Sequence, residues 1–206
     1  MRIRVHQHVN PLAPYFCFAP KPIEIEKIFA DANLPLHLDI GSARGRFALK
    51  MAEIFSARNF LGVEIREPLV AEANRFAREN NLRNLHYEFC NATASLGKLL
   101  EKLPAGILQF VTIQFPDPWY KKKHAKRRMV KDELVETVAG HLKISGEIYV
   151  QTDVDFLAEE MFEMFRANDN LREIEITENP FPIKTEREIA VEEKGLPIYR
   201  ARFERI

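Results

Sequence analysis

Leu36-His37-Leu38-Asp39-Ile40-Gly41-Ser42-Ala43-Arg44-Gly45 is a short apolar-rich run that ends in an acid and turns through two glycines. It then opens into a stretch bearing Phe47, Leu49, Met51, Ala52, Ile54 and Phe55. Apolar residues three and four apart predict one buried helical face, and the glycines permit a tight turn and close backbone approach to a ligand. A strand, a glycine loop and a helix form the first unit of an α/β domain, and outward from it the pattern repeats. Strands are predicted at Leu36 to Ile40, Asn59 to Ile65, Leu85 to Cys90, Ile107 to Phe115 and Glu147 to Thr152. Further helical faces are Leu69, Val70, Ala73, Phe76 and Ala77; then Met129, Leu134, Val138 and Leu142; then Phe156, Leu157, Met161, Phe162 and Phe165, all read as core. Ile174 and Ile176 read as strand, 179–197 as an irregular loop, and Ile198 to Phe203 as a closing strand. Strands alternating with helices predict a mostly parallel sheet.

At 206 residues and 23.9 kDa the chain fits one domain with a substantial core. Residues 1–22, rich in Pro and His and without period, read as an arm laid on a domain spanning 23–206. Cys17 and Cys90 are the only cysteines, outside any zinc spacing, so a reducing cytoplasm is expected. The first residues lack the apolar segment of a signal peptide, and no stretch is long enough to span a bilayer. His6 and His8 have no third candidate ligand nearby, so no metal site is expected. With a formal net charge of +0, binding to a polyanion requires a local patch.

Three successive strands end in polar groups suited to an adenosine-bearing cofactor. The first delivers Asp39 and the loop from Gly41 to Gly45; position 43 is Ala, which departs from the G-x-G-x-x-G of dinucleotide binding. The second ends in Gly62-Val63-Glu64-Ile65, about 20 residues past the loop, where an acid meets a ribose diol in this fold class. The third ends in Cys90-Asn91-Ala92, where a side-chain amide could pair with an adenine edge.

The fourth strand leads into Phe115-Pro116-Asp117-Pro118-Trp119-Tyr120, and the fifth into Gln151-Thr152-Asp153. Pro-Asp-Pro alone is turn chemistry, and Thr-Asp at a strand end can cap the next helix. Position favours a ligand group at Asp117, since ligands of open α/β sheets bind at the carboxyl ends of strands; for Asp153 the helix cap and the ligand group stand equal. From Lys121 to Lys131, seven of eleven residues are Lys or Arg with no acid among them. Such a run repels itself unless anions such as phosphates lie nearby.

These residues resemble the bacterial tRNA (guanine-N7-)-methyltransferase family over essentially the whole chain. The resemblance rests on Val5 to Leu12, the Asp39 loop, Gly62 to Ile65, the Phe115 to Trp119 box with its basic tail, Thr152-Asp153, Thr185-Glu186-Arg187-Glu188, and Gly195 to Arg200. It implies a Rossmann-like class I fold: a mostly parallel seven-stranded sheet with helices on both faces and an antiparallel C-terminal strand. It also implies methyl transfer from S-adenosyl-L-methionine (SAM) to guanine N7 in the variable loop of tRNA. By the same resemblance Asp39, Gly41, Gly45, Glu64, Asn91, Ala92 and Asp117 bind SAM, and Asp117 is catalytic. Lys121, Asp153, Thr185, Glu186, Arg187 and Glu188 contact substrate, and Lys123, His124, Lys126, Arg127 and Arg128 contact RNA. Asn91 stands where the family has Asp, Ser42-Ala43 where it has Cys/Phe-Gly, and Tyr120 where it has Pro, Lys or His. A cytoplasmic enzyme, monomer or homodimer, needing no protein partner and no membrane, is expected.

Guanine N7 carries a free lone pair, so the reaction demands positioning rather than a general base. Alternatives are an adenine amino-group methyltransferase, whose box reads Asp/Asn-Pro-Pro-aromatic, a non-catalytic RNA-binding module with a vestigial cleft, and an NAD reductase.

Overall fold

A computed structural model describes residues 9–206; His6 and His8, and the first residues of the Val5 to Leu12 motif, lie outside the described residues. Seven strands form one sheet in the order β3-β2-β1-β4-β5-β7-β6. They are β1 (Leu36–Ile40), β2 (Asn59–Glu64), β3 (Leu85–Phe89), β4 (Leu108–Gln114), β5 (Leu142–Thr152), β6 (Leu171–Ile174) and β7 (Tyr199–Arg205). Neighbours from β3 to β5 pair in parallel, and β7 runs antiparallel to both β5 and β6. The helices are α1 (Ile25–Ile28), α2 (Arg46–Ile54), α3 (Glu67–Glu79), α4 (Ala92–Leu100), α5 (Asp132–His141), α6 (Asp155–Arg166) and α7 (Glu186–Glu192).

Every residue of β1 and β2 is buried, as a parallel sheet covered on both faces requires. Along β1, Leu36, Leu38 and Ile40 join the large cluster that includes Leu96 and Leu99 of α4, Val138 of α5 and Phe165 of α6. Phe60 and Tyr87 instead pack in a second cluster with Phe47 and Met51 of α2 and Ala73 of α3. The two clusters hold the strands in register, which fixes what lies at their carboxyl ends.

The expected elements form, with corrections: Met129 precedes α5 and Leu142 follows it instead of sharing its buried face. β5 begins at Leu142 rather than Glu147, because the chain turns directly from α5 into an early bridge to Leu108 before the pairing shifts to Phe110 and Glu147. β6 ends at Ile174, leaving Ile176 outside the sheet. The 179–197 segment contains α7: Thr185 Oγ1 accepts a hydrogen bond from the Glu188 N–H at 3.1 Å. Thr185 caps this helix, as in the first half of a Thr-x-x-Glu capping box, while the Glu188 side chain turns elsewhere. Finally, Phe156 leaves the core. The buried stripe of α6 is Leu157, Ala158, Met161, Phe162 and Phe165, and Phe156 falls beside it, 37% exposed; Ile54, the last residue of α2, is likewise exposed.

Candidate active site

The carboxyl ends of β3, β2, β1, β4 and β5 lie side by side. After β1 the backbone passes through left-handed φ at Gly41 (79°), Ala43 (51°) and Gly45 (73°). That path bends the loop back onto β2, where the Gly41 and Ser42 N–H groups donate to Val63 O. A side chain at Gly45 would meet the Tyr87 ring at 2.5 Å, and the Tyr87 hydroxyl donates to Gly45 O at 2.6 Å. Glycine is therefore required there both by φ and by space.

Asp39 is buried opposite Gly62 on β2 and Thr112 on β4. The Thr112 hydroxyl donates to Asp39 Oδ1 at 2.7 Å, and His37 Nε2 lies 3.1 Å from the same hydroxyl oxygen. A hydroxyl has one proton, and Asp39 receives it, so His37 must donate through Nε2–H. Burial, with the Arg58 charge adding to it, lowers the His37 pKa to about 3, so the ring is neutral at physiological pH. Burial raises the Asp39 carboxyl to about 6, against the opposing pull of Thr112 and Gln114, with Glu64 adding repulsion. A carboxylate in that state gains from a cation beside it.

Glu64 closes β2 and is also buried. Oε2 accepts from the Ala43 N–H (2.9 Å) and Arg66 Nη2 (3.0 Å), and Oε1 from the Arg66 N–H (3.0 Å) and Nε (2.8 Å). Burial would lower the Arg66 guanidinium, but the hydrogen bonds and charge of Glu64, with Asp117 beyond, hold it above its ordinary value. Asn91, just before α4, donates through Nδ2 to Pro11 O (2.9 Å) and Phe16 O (3.3 Å). Ser95 Oγ donates to Phe18 O, and the Phe18 ring stacks on Phe89 at 4.8 Å. Residues 11–18 of the arm thus rest on the end of β3. The amide at position 91 has a physical reason: it supplies the donors that two arm carbonyls need, which a carboxylate lacks.

The box after β4 is bent sharply, with φ of 50° at Phe115 and 45° at Trp119, on either side of exposed Asp117. Non-glycine residues in this region are held by their surroundings. Here the Phe115 N–H donates to Gln151 O at 2.8 Å, and buried Arg128 holds Pro118 O and Trp119 O while pairing with Glu160. Lys122–Arg127 forms a 3-10 turn with Lys121, Lys122, Lys123 and Lys126 exposed. The Arg127 guanidinium lies 4.9 Å from the Trp119 ring. His124 packs edge-on to Trp119, and burial, then the charges of Arg127, Lys123 and Lys121, lower its pKa.

Asp153 follows β5 and pairs with Arg187 of α7. It does not cap α6, since the residue preceding that helix is Val154 and its N–H turns to Thr152 Oγ1. Glu186 is exposed and pairs with Arg46 of α2. Glu188 points inward: with 0% exposure it accepts from Gln151, Asn179 and Arg200. It therefore anchors α7 instead of offering a surface to substrate. Arg128, equally, is a buried tie within the box.

Asp39, Gly41, Gly45, Glu64, Asn91 and Ala92 thus lie along one edge of the sheet, and Asp117 and Asp153 follow the next two strands. Thr112, His37, Arg66 and Tyr87 escaped the sequence reading. Two of them had a signal: His37 and Thr112 are polar residues in the middle of buried strands. A separate cavity of about 210 Å³, lined by Arg58, Phe110, Glu147, Phe181 and Arg202 among others, includes none of the strand-end residues.

The sequence pattern of the family described as "Putative methyltransferase" matches residues 33–201. A tRNA (guanine-N(7)-)-methyltransferase of Trichormus variabilis is 52% identical over 208 residues, covering 99% of this chain and 97% of that one. Among solved structures the fold is similar to a 30S ribosomal A1408 methyltransferase from an uncultured bacterium, with TM-score 0.57 at 15% identity over 90% of this chain and 96% of that chain. It is also similar to a Streptococcus mutans protein in complex with SAH, with TM-score 0.55 at 7% identity over 88% and 93%. No described helix is long and apolar enough to cross a membrane. With its class I strand order, its buried strand-end acids and an end-to-end match to these relatives, the chain belongs to the tRNA (guanine-N(7)-)-methyltransferase family.

Proposed function

We propose that this protein transfers a methyl group from SAM to N7 of a guanine in the variable loop of cytoplasmic tRNA, acting without a protein partner. The observation that carries the reading is the pair of buried carboxylates, Asp39 and Glu64, at adjacent strand ends beside a solvent-facing Asp117 and a cationic segment. The residues fit the cofactor. Asp39, raised to about 6 by burial, suits an ammonium group, and the left-handed loop leaves backbone free to approach. Glu64 suits a ribose diol; its four acceptor positions are held by Ala43 and Arg66, so a diol takes the places of Arg66 donors. Asn91 retains Oδ1 to accept from an adenine amino group.

Bound SAM supplies an electrophilic methyl on sulfonium sulfur, which leaves as a neutral thioether when guanine N7 forms its bond to carbon. No proton moves. Positive charge passes to the purine, so Asp117, and Asp153 after it, stabilise that charge electrostatically. Exposed Lys121, Lys123 and Lys126 hold phosphates and set register without reading sequence. Arg127, facing Trp119, lies at the inner border of that surface. Thr185 to Glu188 frame the substrate side: Arg187 meets Asp153, and buried Glu188 holds α7 in place.

Incubation with labelled SAM and unmodified bulk tRNA, followed by nucleoside analysis, tests the proposal. The expected product is 7-methylguanosine; a methylated adenosine, or no methylated nucleoside, refutes it.

A further inference from the structure

We propose that Tyr120 and Phe156 form a stacking platform for a tRNA base beside the catalytic box, an inference that rests on the tRNA substrate proposed above. The two rings come from different elements, one from the end of the box and one from the first turn of α6. They meet edge-to-face with centroids 5.9 Å apart. Tyr120, at 68% exposure, is the most exposed large apolar side chain among the described residues, and Phe156 is 37% exposed.

The pair is built rather than incidental. Buried Arg128 places its guanidinium 4.9 Å from the Phe156 ring while tying Pro118 O, Trp119 O and Glu160, so one side chain fixes both the box and the platform. Trp119 differs, since Arg127 and His124 already cover its ring. Charge complementarity names the occupant. Tyr120 is followed at once by exposed Lys121, Lys122 and Lys123, so whatever reaches the rings must also be anionic. A nucleotide meets both demands, because bases splayed out of RNA stack on exposed aromatic rings while their phosphates meet cations. The interface is therefore divided: lysines hold the backbone and the aromatic pair holds a base.

Filter binding of bulk tRNA across a potassium chloride series tests this on the parent and on Tyr120→Ala, Tyr120→Phe, Phe156→Ala and Lys126→Ala, with light scattering on each. Stacking is salt-insensitive relative to phosphate contact. Tyr120→Ala and Phe156→Ala should each weaken tRNA binding about ten-fold at every salt concentration, and Tyr120→Phe should stay within about two-fold of the parent. Lys126→Ala should instead flatten the salt dependence. Because Tyr120 is exposed, its loss should leave the fold and SAM affinity intact. The platform is overturned if Tyr120→Ala binds tRNA within about two-fold of the parent, if it acts only by flattening the salt dependence, or if it alters self-association without altering tRNA affinity. A parent that makes no 7-methylguanosine would refute the proposed reaction, whereas the binding series would still decide the platform.

Discussion

The two sides of the proposed site, one for cofactor and one for RNA, are built by opposite means. On the cofactor side, Asp39 and Glu64 are buried, set in register by neighbouring strands and held by hydrogen bonds to Thr112, Ala43 and Arg66. On the RNA side, Asp117 and four lysines are exposed on a strained box and a short 3-10 turn, and only Arg128 of the cationic run is buried. Under the proposed function, a small cofactor of fixed shape is met by groups whose positions the sheet dictates. A large polyanion is met by charge, which tolerates imprecision in each contact.

Chemistry should break most sharply where the two sides meet. Asp117→Ala should lower single-turnover methyl transfer by roughly 100- to 1,000-fold, the cost of removing one group aimed at developing charge, while SAM and tRNA binding persist. Retained transfer would move the catalytic charge to Asp153. Next in size, Glu64→Ala should weaken SAM binding by calorimetry roughly 10- to 100-fold, as expected for lost charge-assisted hydrogen bonds. Transfer at saturating SAM should recover; if affinity is unchanged, Glu64 serves Arg66 and the loop alone.

The contrast also explains what the sequence could reveal. The strand ends were legible because a parallel strand is a mainly apolar run, so an acid at or near its end, such as Asp39 or Glu64, stands out. The box was legible through its prolines and charge. Three-dimensional partnerships were not. Phe156 sits one residue from the buried stripe of α6, a rotation that spacing does not resolve. Arg128 reads as one cation among seven, yet Glu160, 32 residues away, draws it inward. α7 was legible in principle through the Thr185 cap, but Glu188 was read as a substrate contact because Gln151, Asn179 and Arg200 meet it only in the fold.

A smaller effect probes how the sheet holds the cofactor side. Thr112→Val keeps the shape but removes the donor to Asp39 and leaves the His37 Nε2–H unpaired. Asp39 faces Thr112 and Gln114 on β4, Glu64 on β2, Tyr87 on β3 and, through Thr112, His37. Its carboxyl titrates at about 6 with Thr112 as a lowering influence, so the variant should titrate higher. If ionised Asp39 meets the SAM ammonium group as proposed, SAM affinity should fall as pH drops through about 6 in the parent, and at higher pH in the variant. Near neutrality the loss should be about ten-fold, with Thr112→Ser restoring it. Stability carries the opposite sign. A carboxyl raised from 3.8 to about 6 contributes stability that is present below its unfolded value and lost as pH rises through about 6. An unshifted acid limb in Thr112→Val would reduce Thr112 to packing.

The smallest effect on binding, at Lys123, separates the two modes of construction within one run of sequence. Lys123 and Arg128 are five residues apart and carry the same charge, but Lys123 is exposed and Arg128 buried against Glu160 and two box carbonyls. If Lys123 contacts a phosphate, Lys123→Ala should reduce the slope of log affinity for tRNA against log salt by about one unit at most, with little change in melting temperature. Arg128→Ala should leave that slope in place. It should instead lower stability by about 2 kcal/mol, since buried Arg128 gives up two box carbonyls and its pair with half-buried Glu160, and lower turnover because the box that carries Asp117 is released. A common drop in salt slope for both variants would return Arg128 to the RNA surface and erase the boundary; opposite behaviour places it between Lys123 and Arg128.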